Sequence, residues 1–294
     1  MLDFSIIIPT FQRPVQLSAC LDALSRLDYE CSRWEVIVVD DGSESPAEEV
    51  VRAAASRLAV RMLRRPHAGP AAARNAGATE ARGRYLVFTD DDCRPSSGWL
   101  KTIAAGFASN GNCVIGGKIV NAFDGNIYAA ASQLLLDYLY EHFNAEPEHA
   151  RMLASCNVAM PAAIFLSIGG FDIKYPNAAA EDREICDRLR HHGHRLVYLQ
   201  NAVVMHHHVL SLRRFWRQHY NYGTGAFRYH SARAVLAGDR IRVEPSRYYW
   251  KLLRYPSTVT RDHTAALTAL FFLSQIANAI GFFRAKLAHS LRGT

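Results

Sequence analysis

The chain has 294 residues, 49% of them apolar, enough to bury the core of one large α/β domain with an appendage, so disorder is not the default reading. Its six cysteines (Cys20, Cys31, Cys93, Cys113, Cys156 and Cys186) are scattered without a C-x-x-C pair, which argues against a zinc site or disulfide framework and fits a reducing compartment. The net charge of +7 is uneven: residues 1–210 carry 20 Lys+Arg against 24 Asp+Glu, whereas 211–294 carry 14 against 3, a net of +11 that points to an anionic partner, either nucleic acid or a membrane surface.

Met1–Leu2–Asp3 is not a basic leader, and the short apolar run 4–8 ending at Pro9 reads as a first strand. Helix and strand patterns then alternate, with strands expected over 4–8, 35–40, 60–63, 85–89 and 113–120. Helices are expected over 14–27, 46–58, 71–81 and 99–109. Near-continuous Val/Ile/Leu strands separated by helices predict a mostly parallel, Rossmann-like sheet covered on both faces. Ligands of such sheets sit beyond the strands' carboxyl ends, where Pro9–Arg13, Asp40–Ser43 and Asp90–Asp92 fall. Further on, helices are expected over 128–143 and 181–192, the latter stopped by Gly193 at its C′ position, followed by a strand over 195–199. The last 84 residues read as helical, basic and aromatic. They contain an uncharged run, 265–283, long enough to span a bilayer but interrupted by Gln275 and Asn278.

Five clusters carry candidate chemistry. Asp90–Asp91–Asp92 repel one another unless a cation screens them; if the strand continues, Asp90 and Asp92 share a side and offer a hard-oxygen site for Mg²⁺ or Mn²⁺, the alternative being a solvated acidic turn. Asp40–Asp41–Gly42–Ser43 is either a plain turn or an acceptor for a base N–H or a ribose hydroxyl. The small-residue run Ala71–Gly77 lets a helix pack close to a nucleotide and offer Arg74 to a phosphate. Glu181–Asp182 suits a helix N-terminus through the helix dipole and equally suits a general base. Among His206–His207–His208, alternation puts His206 and His208 on one face as possible metal ligands, or all three are an exposed polar run. No G-x-G-x-x-G or Walker sequence is present.

In order, Ser5–Ile6–Ile7–Ile8–Pro9–Thr10, Val38–Val39–Asp40–Asp41–Gly42–Ser43, Ala73–Arg74–Asn75–Ala76–Gly77, Phe88–Thr89–Asp90–Asp91–Asp92, Gly169–Gly170–Phe171–Asp172, Glu181–Asp182 and Tyr222–Gly223–Thr224–Gly225 resemble the family 2 glycosyltransferases of the GT-A fold. The resemblance covers about the first 225 residues. It implies an α/β GT-A domain, with residues 1–120 as its nucleotide-sugar-binding half and 121–210 as its acceptor-binding, catalytic half. Residues 211–294 would be a basic helical, membrane-associating segment. Pro9, Thr10, Phe11 and Arg13 would line the nucleoside pocket, Asp41 with Asp40 would accept from the base, and Arg74 and Asn75 would lie on the donor side near the phosphates. Asp92 would be the direct metal ligand, with Asp90 near ribose and metal, Asp91 beside them on the donor, and His206, or else His208, as a later ligand. Asp182 would be the base of the Glu181–Asp182 pair.

The implied reaction is a metal-dependent (Mn²⁺ or Mg²⁺), inverting transfer from a nucleoside-diphosphate sugar to a hydroxyl acceptor, lipid-linked ones included. Its setting would be bacterial-type polysaccharide or glycolipid assembly at the cytoplasmic face of the cell membrane. The processive Q-x-x-R-W motif is missing; Gln218–His219–Tyr220–Asn221–Tyr222 stands in its place, which implies one addition per acceptor. A nucleotidyltransferase of related fold is disfavoured by the glycine-free loop Ile8–Arg13. A nucleic-acid-binding module using the basic tail is disfavoured because no known nucleic-acid motif is present.

Overall fold

The computed structural model describes residues 2–45, 47–123, 125–175, 179–237 and 244–291. They form an eight-stranded sheet in the order β3-β2-β1-β4-β7-β6-β8-β5. Its first half is parallel: β3 (Val60–Arg64), β2 (Trp34–Asp40), β1 (Phe4–Thr10) and β4 (Tyr85–Phe88). β7 (Val158–Pro161) then runs antiparallel to both β4 and β6 (Val114–Asn121). β8 (Leu196–His206) is parallel to β6, and β5 (Cys93–Pro95) closes the edge antiparallel to β8. The expected mostly parallel α/β architecture is present, and the sheet is mixed.

Every residue of β1 and β2 is buried because helices cover both faces. Alternation divides the side chains. Ile6, Ile8, Val36 and Val38 meet Leu17 and Leu21 of α1 (Pro14–Leu24), Val51 of α2 (Glu48–Ala54) and Trp99 and Ile103 of α4 (Trp99–Asn110). Ile7, Ile37 and Val39 meet Ala71 and Ala73 of α3 (Pro70–Thr79) in a second core that also takes in Phe165 of α6 (Ala162–Ser167) and Ile185 and Leu189 of α7 (Glu181–His191). Each fully buried Ile or Val contributes about 1.5–3 kcal/mol, so three isoleucines in a row fix β1 at the centre. The run of small residues in α3 lets it sit very close to the sheet: a Cβ on Gly77 would fall 2.6 Å from Ile7 Cγ2 and 3.0 Å from Val39 Cγ2.

The differences from expectation have local causes. Helix 46–58 is realised as Glu48–Ala54, and Pro46 lies outside the described residues. The strand expected over 195–199 runs on to His206 because it pairs with all of β6. Strands β5 and β7 and helix α6 were not expected; at three, four and six residues they are too short to show a period. Gly193 stops α7 as expected, in a left-handed conformation at φ +78°.

The chain divides into two compact units. One comprises Met1–Ala122, Phe143–Pro176 and Asp182–His207, and holds the sheet. The other comprises Phe123–His142, Asn177–Glu181 and His208–Thr294. The second is helical, built on α5 (Ile127–Phe143), α8 (Leu212–Ala237), α9 (Ser246–Val259) and α10 (Thr264–Ser290). Leu135, Tyr138, Tyr248, Leu252, Tyr255 and Phe271 pack together in it, as do Ala131, Leu210, Phe215 and Leu267. Helices α8 and α10 touch backbone to backbone: a Cβ on Gly223 would fall 1.9 Å from the Asn278 carbonyl oxygen, and one on Gly281 would fall 2.1 Å from that of Tyr220.

Candidate active site

The parallel half of the sheet brings the carboxyl ends of β1, β2 and β4 side by side, with Thr10 in register with Asp40. Pro9 and Thr10 are the last residues of β1, both buried. The Thr10 hydroxyl donates to Asp91 at 2.8 Å, and its carbonyl accepts from the Asp41 N–H at 2.9 Å. Just beyond, Phe11 is exposed and stacks on His67, with ring centroids 4.3 Å apart.

The two β2 aspartates are used differently. Asp41 is saturated: it accepts from the Ala68 N–H at 3.1 Å and the Gly69 N–H at 2.7 Å, and faces His67 Nδ1 at 2.9 Å and Arg65 at 3.6 Å. It thereby holds the entry to α3, where Gly69 takes φ +92°, a conformation open to glycine. Asp40 is fully buried. Its Oδ1 accepts from the Ser43 N–H at 3.0 Å, and its Oδ2 has no hydrogen-bond partner among the described residues.

The three acidic residues after β4 occupy a turn, so strand alternation does not set their directions. Asp90 accepts from the Arg74 guanidinium at 2.7 Å; Arg74 is 1% exposed and lies 5.5 Å from the Phe171 ring centroid. Asp91 is buried between Thr10 and Arg13. Burial, outweighing the nearby Arg13 charge and reinforced by Asp92, pushes its carboxyl up to about 7. Asp92 takes a hydrogen bond from Arg13 at 3.0 Å and lies 3.2 Å from His206 Nε2. Burial pulls the His206 imidazole down, but its bond to Asp92 wins and carries it up to about 9.

The β5–β8 pairing sets Cys93 opposite His206, and ligand atoms of Asp92, Cys93 and His206 lie within 4.8 Å of one another. Asp90 is not in that group; its carboxylate goes to Arg74. Strand β8 ends at His206, so His208 lies beyond it, and the alternation that would have put the two on one face does not apply. Asp92 and His206 supply an oxygen and a nitrogen that suit a divalent cation; the neighbouring thiol is a softer donor.

Asp182 lies in the first turn of α7, half-buried, and accepts from the Arg183 N–H at 2.8 Å. Burial raises its carboxyl above the ordinary range, opposed by Arg183 and Arg74. Glu181 is buried and opens the helix. The amide of Asn75 is committed at both ends to the Phe171 backbone: it donates to the carbonyl at 2.8 Å and accepts from the N–H at 2.9 Å. That clamp ties α3 to the Gly169–Gly170–Phe171 turn. The sequence reading missed His67 and Cys93. Both come into place only through pairing distant in sequence, and neither lies in a motif.

Comparison with known proteins agrees with this architecture. The family model described as Glycosyl transferase family 2 matches residues 5–169. The chain is 31% identical to the pre-mycofactocin glycosyltransferase of Mycobacterium tuberculosis over 218 residues, 72% of this chain and 45% of that protein. It spans about half the length of such curated relatives. Among solved structures, the mannosyltransferase PcManGT from Pyrobaculum calidifontis, in complex with GDP-Man and Mn²⁺, superposes with a TM-score of 0.65 at 16% identity, covering 94% of this chain and 86% of that one. Staphylococcus aureus TarS 1-349 in complex with UDP-GlcNAc gives 0.57 at 15%, covering 99% and 92%. The sheet they share, and a family match across more than half of the residues, give one conclusion: the chain belongs to glycosyl transferase family 2.

Proposed function

We propose that this chain transfers a sugar from a nucleoside-diphosphate donor to a hydroxyl acceptor, once per acceptor and with inversion. The observation that carries the reading is the convergence, beyond three neighbouring strand ends, of an unfilled buried acceptor on Asp40, the Arg74–Asp90 pair and the Asp92–His206 pair. The donor class is supported by the two structural relatives, which hold UDP-GlcNAc and GDP-Man.

In this reading Pro9, Thr10, Phe11 and Arg13 form the nucleoside wall, with His67 stacked behind Phe11. Asp40 accepts from the base, and Asp41 keeps the 67–69 segment in place beside it. Arg74 supplies positive charge on the phosphate side. Asp92 and His206 would hold Mn²⁺ or Mg²⁺, which when bound neutralises charge on the diphosphate leaving group. Asp182 takes the proton of the acceptor hydroxyl as that oxygen attacks the anomeric carbon and the bond to the diphosphate breaks; its raised carboxyl pKa makes it a stronger base than an exposed aspartate. Asn75 acts through the Phe171 turn. The acceptor, which includes lipid-linked hydroxyls, belongs to polysaccharide or glycolipid assembly. It is met at the cytoplasmic face of a membrane to which the basic 211–294 segment binds. No nucleic acid enters this reading.

The test is a thermal-shift screen of sugar nucleotides with Mn²⁺. A base-selective stabilisation that chelator abolishes and Asp40→Asn weakens is expected. No shift with any donor overturns the proposal.

A further inference from the structure

Helix α10, Thr264–Ser290, is among the described residues the one long and apolar enough to cross a membrane. Its two faces differ in a way that composition hides. The polar residues of its middle are buried or half-buried. Ser274 is fully buried and its hydroxyl donates to the Phe271 carbonyl at 2.7 Å; Gln275 donates to Ser274; and Asn278 meets Gly223 of α8 backbone to backbone.

The outward face is the opposite. From 265 to 283 every exposed residue is apolar: Ala265, Ala266, Ala269, Phe272, Ile276, Ala279, Ile280 and Phe283. The four large ones are 46–63% exposed, and their spacing of three or four residues puts them in one stripe. A contiguous exposed apolar stripe marks an interaction surface. Its surroundings are basic: Arg261 precedes it, Arg284 and Lys286 follow it, all exposed, and no acid occurs after Asp262.

We propose that this stripe is the membrane-contacting face of the chain, and that α10 lies in the plane of an anionic lipid surface without spanning the bilayer. Phe272, Ile276, Ile280 and Phe283 sit below the headgroups, while Arg261, Arg284 and Lys286 meet the phosphates. The in-plane attitude follows from α8. That helix packs along α10, and it exposes Arg213, Arg214, Arg217 and Arg228. A spanning α10 would draw those arginines into hydrocarbon, where charge is strongly disfavoured; a flat α10 leaves them in water or among headgroups. A second copy is the weaker occupant, since joining two such faces would bring two +11 segments together. The inference rests on the membrane reading above and not on the transfer chemistry.

The full chain is tested by co-sedimentation with phosphatidylcholine vesicles, with and without phosphatidylglycerol. A fluorescent amino acid placed at position 272 or 283 is then quenched by lipids brominated at known depths. Binding that needs the anionic lipid is expected, weakened about tenfold or more by the double substitution Ile276→Glu, Ile280→Glu with the melting curve unchanged. The two probes, about 16 Å apart along the helix, should be quenched at one shallow depth. Probes at clearly different depths overturn the in-plane attitude. A double variant that sediments like the parent overturns the assignment to this face. A parent chain that stays in solution with anionic vesicles at low salt overturns the proposal altogether, and a parent dimer that the double variant converts to monomer would then assign the stripe to a second copy. Donor-induced thermal shifts measured on the same samples separate failure here from failure of the transferase reading.

Discussion

Arg74 is the residue whose replacement reports most on how the site is held together. Its side chain is 1% exposed, its guanidinium is 2.7 Å from Asp90, and it lies over the Phe171 ring at 5.5 Å. Arg74→Met keeps the aliphatic stem and removes the charge. Stranding the partner of a fully buried pair costs about 3–5 kcal/mol, but the Asp90 side chain keeps 29% exposure and water takes part of the load, leaving about 2 kcal/mol. The lost cation–π contact adds about 1 kcal/mol, and relief of the arginine's own desolvation offsets some of it. A net loss of about 2–3 kcal/mol lowers the melting temperature by about 5–10 °C in a chain of this size. The assay is a melt followed by circular dichroism on Arg74→Met, Asp90→Asn and the double variant. The cycle should show a coupling of about 1 kcal/mol or more. A parent-like melt for Arg74→Met with additive single effects would refute the reasoning.

Two further predictions follow from the same structure. Asp182 has a folded-state pKa above its unfolded value, so its contribution to stability is complete below about pH 4 and is lost as pH rises through the raised pKa. Asp182→Asn should therefore melt at or above the parent temperature at neutral pH while turnover falls by roughly 10²–10⁴-fold, and the parent's rate should climb with pH on a limb above the ordinary aspartate range. A variant that melts lower and keeps its turnover would mark Asp182 as a structural helix-start acid. Gly223→Ala puts a Cβ 1.9 Å from the Asn278 carbonyl oxygen; it should cost about 1–3 kcal/mol or more and expose the C-terminal helices to limited proteolysis, and unchanged protection would contradict the close packing of α8 on α10.

The parallel half of the sheet was legible because β1, β2 and β4 are near-continuous apolar runs, each ending in a recognisable polar cluster. The antiparallel insertion was not. β5 contains only three residues, one of them a proline, and β7 four, so neither carries a readable period, yet β5 sets His206 opposite Cys93 across 113 positions of sequence. Asp90–Asp92 form a turn and not a continued strand, so the carboxylates diverge: Asp90 goes to Arg74, Asp91 and Asp92 share Arg13, and Asp92 also meets His206. Gln275 and Asn278 counted against a simple span when only composition was visible; both are half-buried, and the exposed residues of 265–283 are all apolar.

The most direct test of the central claim is release of nucleoside diphosphate from a sugar-nucleotide panel, measured with Mn²⁺ or with EDTA for the parent, Asp92→Asn, His206→Ala and His207→Ala. The account predicts release that needs the metal, that Asp92→Asn and His206→Ala largely abolish, and that His207→Ala leaves near the parent level. Full activity in chelator, or equal small effects from all three substitutions, would contradict it.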